Sequence, residues 1–195
     1  GLPLLEWVLR AVEPLQPSRT TAILGYSAEE VSAVMGQRDV RVVTKGPLLG
    51  PVHALTALLD ADDDDGEGLL LVFPADVPML GPATLEALVT HRAHATSAMT
   101  VVSAVSERRY GLMRVLRQDG GEVIGLVSEK DASRQQRAIR ECTSGVFACS
   151  PTALREALAT FSWEHVERER SLGEVVAALR RLGHDVDTIS ATVPH

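Results

Sequence analysis

Two stretches of this 195-residue chain carry residue types suited to phosphate chemistry. The first is Asp76, which directly follows the apolar run GLLLVFPA (68–75) and precedes Val77-Pro78. A carboxylate at the end of a buried strand can hold a hard cation such as Mg²⁺, which binds through one or two carboxylates together with substrate phosphates. The same carboxylate could instead cap a turn ahead of the helix expected over 82–94. The second stretch is GPLLGPVHA (46–54), a loop that opens a helix and carries Gly50 and His53, with Lys45 just before it. Such a loop presents backbone N–H groups and a positive dipole end to a nucleotide or phosphate, and Lys45 adds a cation. It has neither the Walker spacing nor G-x-G-x-x-G, so on its residues alone an ordinary connection is the simpler reading.

The remaining reactive residue types point to structure. The six histidines (His53, His91, His94, His165, His184, His195) form no metal spacing on one element except His91/His94, which sits near a helix end and reads as surface. Cys142 and Cys149 lie in or near a strand without a neighbouring His or Lys pattern, so they read as buried structural thiols. Two cysteines cannot build a disulfide framework and fit a reducing cytoplasm. No G-x-S-x-G occurs, which removes the simplest hydrolase reading. The acidic run DADDDDGEG (60–68) reads as a solvated loop, because consecutive aspartates cannot all face one ion.

These candidates need elements to position them. Apolar spacing predicts helices over 3–13, 27–36 (Ser27 and Glu30 forming a capping box), the end of 46–60, 82–94, 151–160 and 171–182. Strands are expected at 20–26, 40–44, 68–76 and 98–105, the third of them buried on both faces. The alternation implies an α/β fold, a Rossmann-like, mostly parallel sheet with helices on both faces. After 105 the pattern becomes β-rich. Two runs within 112–128 flank Asp119-Gly120-Gly121, a hairpin signal, and further strands are expected at 145–150 and 186–190. In open parallel sheets ligands bind beyond the carboxyl ends of the strands, and both Asp76 and the 46–54 loop fall there.

Composition sets the outer limits. With 19 Lys+Arg against 26 Asp+Glu the net charge is −7, and only seven aromatics are present. No basic stripe meets a phosphate backbone and no aromatic platform stacks bases, so a nucleic-acid partner is not expected. No apolar run reaches the ~18 residues of a membrane span. At 45% hydrophobic and 23% charged, the chain reads as one globular domain over 1–195. It has neither an initiator Met nor a signal peptide.

The string FPADVPML (73–80) joined to YGLMRVLRQDGGEVIGLVSEKDASRQQRAIRECTSGVFA (110–148) resembles the uridylyltransferase domain of bacterial bifunctional UDP-N-acetylglucosamine pyrophosphorylases. More widely it is similar to the sugar-phosphate nucleotidyltransferases. GLPLLEWVL (1–9), TTAILGYSAEEV (20–31), LGPVHAL (49–55) and LGEVVAALRRLGH (172–184) follow that domain in the same order, so the resemblance covers nearly the whole chain.

The resemblance implies transfer of a nucleotidyl group from an NTP, UTP first, to a sugar 1-phosphate, N-acetylglucosamine 1-phosphate first, with pyrophosphate released and Mg²⁺ as cofactor. It implies metal positions at Asp76 and His165, nucleotide contacts at Lys45, Gly50 and His53, and acceptor contacts at Gly111, Glu129 and Thr143. Residues 1–105 become the nucleotide-side half and 106–195 the acceptor-side half. Several positions depart from the family pattern. Lys45 stands where a base-reading Gln is expected, and Ser128 where a sugar-binding Glu is expected, with Glu129 one place on. Met113 replaces a glycine, Thr143 an Asn, and His165 an Asn metal ligand. The family's glycine-rich signature loop falls before Gly1, so the chain is expected to lack that loop and the first strand. Two other readings follow from these departures: a catalytically inert nucleotide- or sugar-phosphate-binding relative, or a guanylyltransferase of the molybdenum-cofactor type, suggested by GPLLG (46–50).

Overall fold

The computed structural model describes residues 1–25, 28–36, 38–44, 50–61, 68–78, 80–108, 110–162 and 169–191. Its helices are α1 (Leu4–Val12), α2 (Ala28–Met35), α3 (Pro51–Ala61), α4 (Pro82–Arg92), α5 (Arg134–Arg137), α6 (Pro151–Ala159) and α7 (Leu172–Arg181). Its strands are β1 (Thr21–Leu24), β2 (Arg41–Thr44), β3 (Leu70–Val72), β4 (Met99–Val105), β5 (Met113–Arg117), β6 (Val123–Val127), β7 (Glu141–Thr143), β8 (Phe147–Cys149) and β9 (Val186–Ser190). The helix starts have identifiable causes. Ser150 accepts from the Ala153 N–H at 3.4 Å ahead of Pro151 in α6, and the Glu174 carboxylate accepts from the Ser171 N–H at 2.9 Å at the head of α7. The Ser27 cap and the 62–67 acidic run lie outside the described residues.

β1 and β2 pair in parallel as a two-stranded sheet. The other seven strands form one sheet in the order β3-β8-β4-β7-β5-β6, with β9 alongside β4 in parallel. Helices cover both faces, as expected for the α/β class, but the large sheet is mixed rather than mostly parallel: among the described residues only β4 and β9 pair in parallel within it. β3 and β4 run the same way but are separated by the antiparallel β8. The apolar run at 68–76 was expected to be buried on both faces. It instead forms a short strand whose residues are only half-buried, with Leu69 exposed. Among the described residues β3 has one partner strand, and an edge strand keeps one side in contact with solvent.

Side chains alternate across β4 as the pleat requires. Met99 and Val101 join the larger core with Val52 and Leu55 of α3, Leu154 of α6, and Val176 and Leu179 of α7. Val102 points the other way, to Leu85 and Leu88 of α4 and Ala11 of α1. A third, smaller cluster of Leu9, Leu24 and Met35 backs β1. Both cysteines are buried and outside any disulfide, and burial pushes the Cys149 thiol up to about 12, in keeping with structural thiols. No helix among the described residues is long and apolar enough to cross a membrane.

One polar network fastens the sheet. The Arg117 guanidinium donates to both Glu141 oxygens (2.6 and 2.7 Å) and to Thr188 (2.7 Å), while the Ser103 hydroxyl donates to Glu141 at 2.8 Å. The Arg117 fork, helped by Ser103, holds the Glu141 carboxyl below its ordinary value near 4.5. A carboxylate lowered in the folded state stabilises above its unfolded value and loses that contribution as pH falls through the folded one. Glu141→Gln is therefore expected to cost about 1–2 kcal/mol at pH 7, the scale of a bidentate charged hydrogen bond. The gap to wild type should close as the pH drops below about 4.5. Urea unfolding between pH 3 and 7 measures it; a gap that stays constant across that range would count against the assignment.

Candidate functional site

The strand that follows α5 builds the floor of the site. Against β4, Ala104 faces Cys142 and Val101 faces Phe147, three residues on one side against five on the other. Two extra residues therefore bulge out between β7 and β8, around Gly145, whose φ of +92° a side chain would strain. The Thr143 hydroxyl oxygen closes the bulge by accepting from the Gly145 N–H at 3.0 Å. The bulge also changes partners. Before it the strand pairs with β5 (Met113 facing Thr143), and after it with β3 (Val72 facing Phe147). The end of β3 and the start of β5 thus meet over Gly145. A Cβ there would lie 3.6 Å from the Met113 Cε and 3.7 Å from the Pro74 Cγ.

Asp76 stands two residues beyond Pro74, exposed. The turn that carries it is closed by the Val77 N–H on the Pro74 carbonyl at 3.2 Å. α4 begins at its own cap position, Gly81, with no side-chain cap. The carboxylate is not needed to start that helix.

On the opposite lip, Gly111 (φ +74°) donates its N–H to Glu129 Oε2 at 2.6 Å. Ser128, where the resemblance placed a sugar-binding Glu, is turned into its own turn: its hydroxyl donates to Asp131 Oδ2 at 2.5 Å. Glu129, one residue on, is the carboxylate that reaches the Gly111 loop. Thr143 is 2% exposed with its oxygen used in the bulge, so it belongs to the floor. Asp76, Gly111, Glu129 and Thr143 are thereby brought around the bulge, beyond the ends of β3 and β6 and beside the middle of β4.

The start of α3 connects to the same region through α7. Gly50 has φ +88°, and a methyl group placed on it would overlap the Glu169 side chain. Glu169 leads into α7, whose Gly173 lies directly against the Leu126 carbonyl of β6, three residues before Glu129. His53 sits half-buried in the first turn of α3. Lys45 and His165 lie outside the described residues. His91 bonds Asp187 Oδ2 through Nε2 at 2.8 Å, which ties α4 to β9 and leaves no metal role for it with His94.

Two participants went unnoticed in the sequence, Glu169 beside Gly50 and the buried Arg114 behind Glu129, while Met113, noted there as replacing a glycine, lies over Gly145. Arg114 had a signal. It alternates with Met113 and Val115 in a strand that the hairpin places between two others, where a charge is unusual. Glu169 had none, since its contact with Gly50 spans more than a hundred residues.

No group of three or more His, Cys, Asp or Glu among the described residues could cage a metal ion. A single exposed carboxylate at a strand end fits a different kind of site, one where Mg²⁺ is shared with a polyphosphate and keeps most of its ligands from water and substrate. Asp76 suits that role.

The bifunctional protein GlmU of Mycobacterium bovis (strain BCG / Pasteur 1173P2) is 35% identical over 193 residues, covering 95% of this chain and 39% of that protein. The bifunctional protein GlmU of Brevibacillus brevis is 32% identical over 194 residues, covering 100% and 42%. The chain thus spans about two-fifths of the curated relatives it matches. The inositol-1-phosphate CTP transferase of T. maritima shares the fold with a TM-score of 0.65 at 13% identity, over 96% of this chain and 72% of that one. The model of the MobA-like NTP transferase domain matches residues 1–184. With its model matched over nearly the whole length, the chain belongs to the MobA-like NTP transferase domain family.

Proposed function

We propose that this domain transfers a nucleotidyl group from an NTP, in the first instance UTP, to a sugar 1-phosphate, in the first instance N-acetylglucosamine 1-phosphate. The observation that carries the proposal is the placement of Asp76 across the bulged floor from the Gly111–Glu129 pair. One lip suits a metal-bound triphosphate and the other a hydroxyl-rich acceptor. Residues 1–105 would serve the nucleotide side and 106–195 the acceptor side, in the cytoplasm, where both substrates are made.

In the reaction an oxygen of the acceptor phosphate attacks the α-phosphorus. The bond from that phosphorus to the bridging β-oxygen breaks, and pyrophosphate leaves with the electron pair. No proton has to move, so the protein's task is positioning and charge neutralisation. Asp76, with His165 as a second position, would hold Mg²⁺, which when bound offsets charge on the triphosphate. Gly50 and the N–H groups at the head of α3 would face the nucleotide, with His53 beside them, and Lys45 would add a cation to the same contacts. Glu129 accepts hydrogen bonds from acceptor hydroxyls while Gly111 fixes its other oxygen, and Thr143 holds the floor in shape.

Calorimetric titration with UTP, GTP, CTP and N-acetylglucosamine 1-phosphate, each with and without Mg²⁺, tests the proposal, with pyrophosphate release followed in parallel. The expected result is Mg²⁺-dependent binding of UTP in preference to GTP and CTP, and binding of the sugar phosphate. A preference for GTP would move the reading to a guanylyltransferase, and nucleotide binding with no turnover to an inert relative.

A further inference from the structure

Arg114 heads the fully buried side chains by volume among the described residues, at 2% exposure, and the reaction outlined above does not use it. It lies on β5 between β6 and β7, opposite Val127 on one side and Cys142 on the other. Its Nη1 donates to the Leu112 carbonyl at 2.5 Å, and its Nη2 stands 3.4 Å from Glu129 Oε1. Glu129 Oε2 in turn accepts from the Gly111 N–H at 2.6 Å. The guanidinium therefore joins two separate segments, the loop at 111–112 and the turn after β6, at the carboxylate they share. The outside of that turn is braced as well, by Arg137 Nε donating to the Glu129 carbonyl at 3.2 Å.

Stability does not account for a charge in this position. Removing an arginine from water is expensive, and an apolar side chain of similar volume is often as good or better for a fold. What the charge does provide is a fixed direction for its partner. The Glu129 side chain is 36% exposed, so part of its carboxylate stays open while Arg114 and Gly111 hold the rest. We infer that Arg114 is a positioning residue, which locks the Glu129 carboxylate in the orientation that accepts hydrogen bonds from the hydroxyls of a polyhydroxylated acceptor. The inference rests on the acceptor-side reading given under Proposed function. A planar fork can serve the Leu112 carbonyl and Glu129 together, which the single ammonium of lysine does less well. Holding the carboxylate in advance spares the acceptor the cost of ordering it.

The test uses the full chain as wild type, Arg114→Leu, Arg114→Lys, Glu129→Gln and the Arg114→Leu/Glu129→Gln double variant. Two quantities are measured beside the thermal melt: amide hydrogen exchange at Gly111, and affinity for N-acetylglucosamine 1-phosphate with UTP and Mg²⁺ present. Arg114→Leu is expected to melt cooperatively, to speed Gly111 exchange at least tenfold, and to weaken the sugar phosphate about tenfold. Arg114→Lys should recover part of both. Because Arg114 acts through Glu129, the double variant should bind no worse than Glu129→Gln alone. Unchanged Gly111 exchange in Arg114→Leu, or losses that add in the double variant, overturns the inference and leaves the acceptor-side reading standing. If Arg114→Leu does not fold, wild-type exchange and affinity in Arg114→Lys overturn it in the same way. Unchanged affinity in Glu129→Gln, or no binding by wild type, overturns the acceptor-side reading and the positioning role with it.

Discussion

Gly173→Ala is expected to lower the melting temperature by roughly 6–12 °C, corresponding to about 3 kcal/mol in a chain of this size. The sign is the point of the experiment. In an ordinary helix interior, replacing glycine with alanine stabilises by up to about 1 kcal/mol, because glycine has more backbone freedom to lose. At Gly173 the new methyl would overlap the Leu126 carbonyl oxygen and lie 3.2 Å from its carbon. Both are backbone atoms of β6, and neither can rotate out of the way. The helix has to lift off the strand, and α7 supplies Leu172, Val175, Val176, Ala178 and Leu179 to the main core. Overpacking of this kind reaches a few kcal/mol. Differential scanning calorimetry of the variant decides it, and a melting point at or above wild type would show that α7 does not rest on Leu126. The same displacement should disturb the segments on either side of the contact, Glu129 beyond β6 and Glu169 ahead of α7.

Asp76→Asn carries the largest expected effect on chemistry. The exchange keeps size and shape but removes the charge that a hard cation prefers. Pyrophosphate release is expected to fall by about a hundredfold or more, the usual scale for losing one principal electrostatic contributor in a transfer reaction. Binding gives a second readout. Wild type should bind UTP more tightly when Mg²⁺ is added, and the variant should lose that gain while retaining its metal-free affinity. Stability should hardly change, since the residue is exposed and neither closes its turn nor caps α4. Wild-type turnover in the variant would remove Asp76 from the metal site altogether.

Much of this arrangement can be read before any coordinates. The hairpin declares itself through Asp119-Gly120-Gly121, α6 through Pro151, and the α/β class through alternating apolar runs. Two short elements, α5 and β7, escape because three or four residues cannot establish a period. The 68–76 run misleads for a different reason. A continuous apolar stretch suggests burial on both faces, but whether a strand is central or at an edge is decided by its partners. Asp76, Gly111 and Glu129 could be placed from motif resemblance. The contact of Glu129 with Gly111, and not Ser128, depends on a local turn in which serine bonds Asp131. Arg114 and Glu169 depend on tertiary packing, which no local window contains.

The division of the strands into a pair and a set of seven also bears on how the molecule opens. β1 and β2 bond only to each other among the described residues. What secures them is helical, the small cluster of Leu9, Leu24 and Met35 together with α3 behind them. Elements with little buried apolar support detach at a lower free energy than the main core and exchange their amide hydrogens as a unit of their own. Here the weakly held unit is the one whose second strand leads into the loop that opens α3. Under the function proposed here, a nucleotide bound at that loop would act as a fastener as well as a substrate: it would slow exchange across β1 and β2 far more than across β4, by a factor that rises in proportion to its concentration above its Kd.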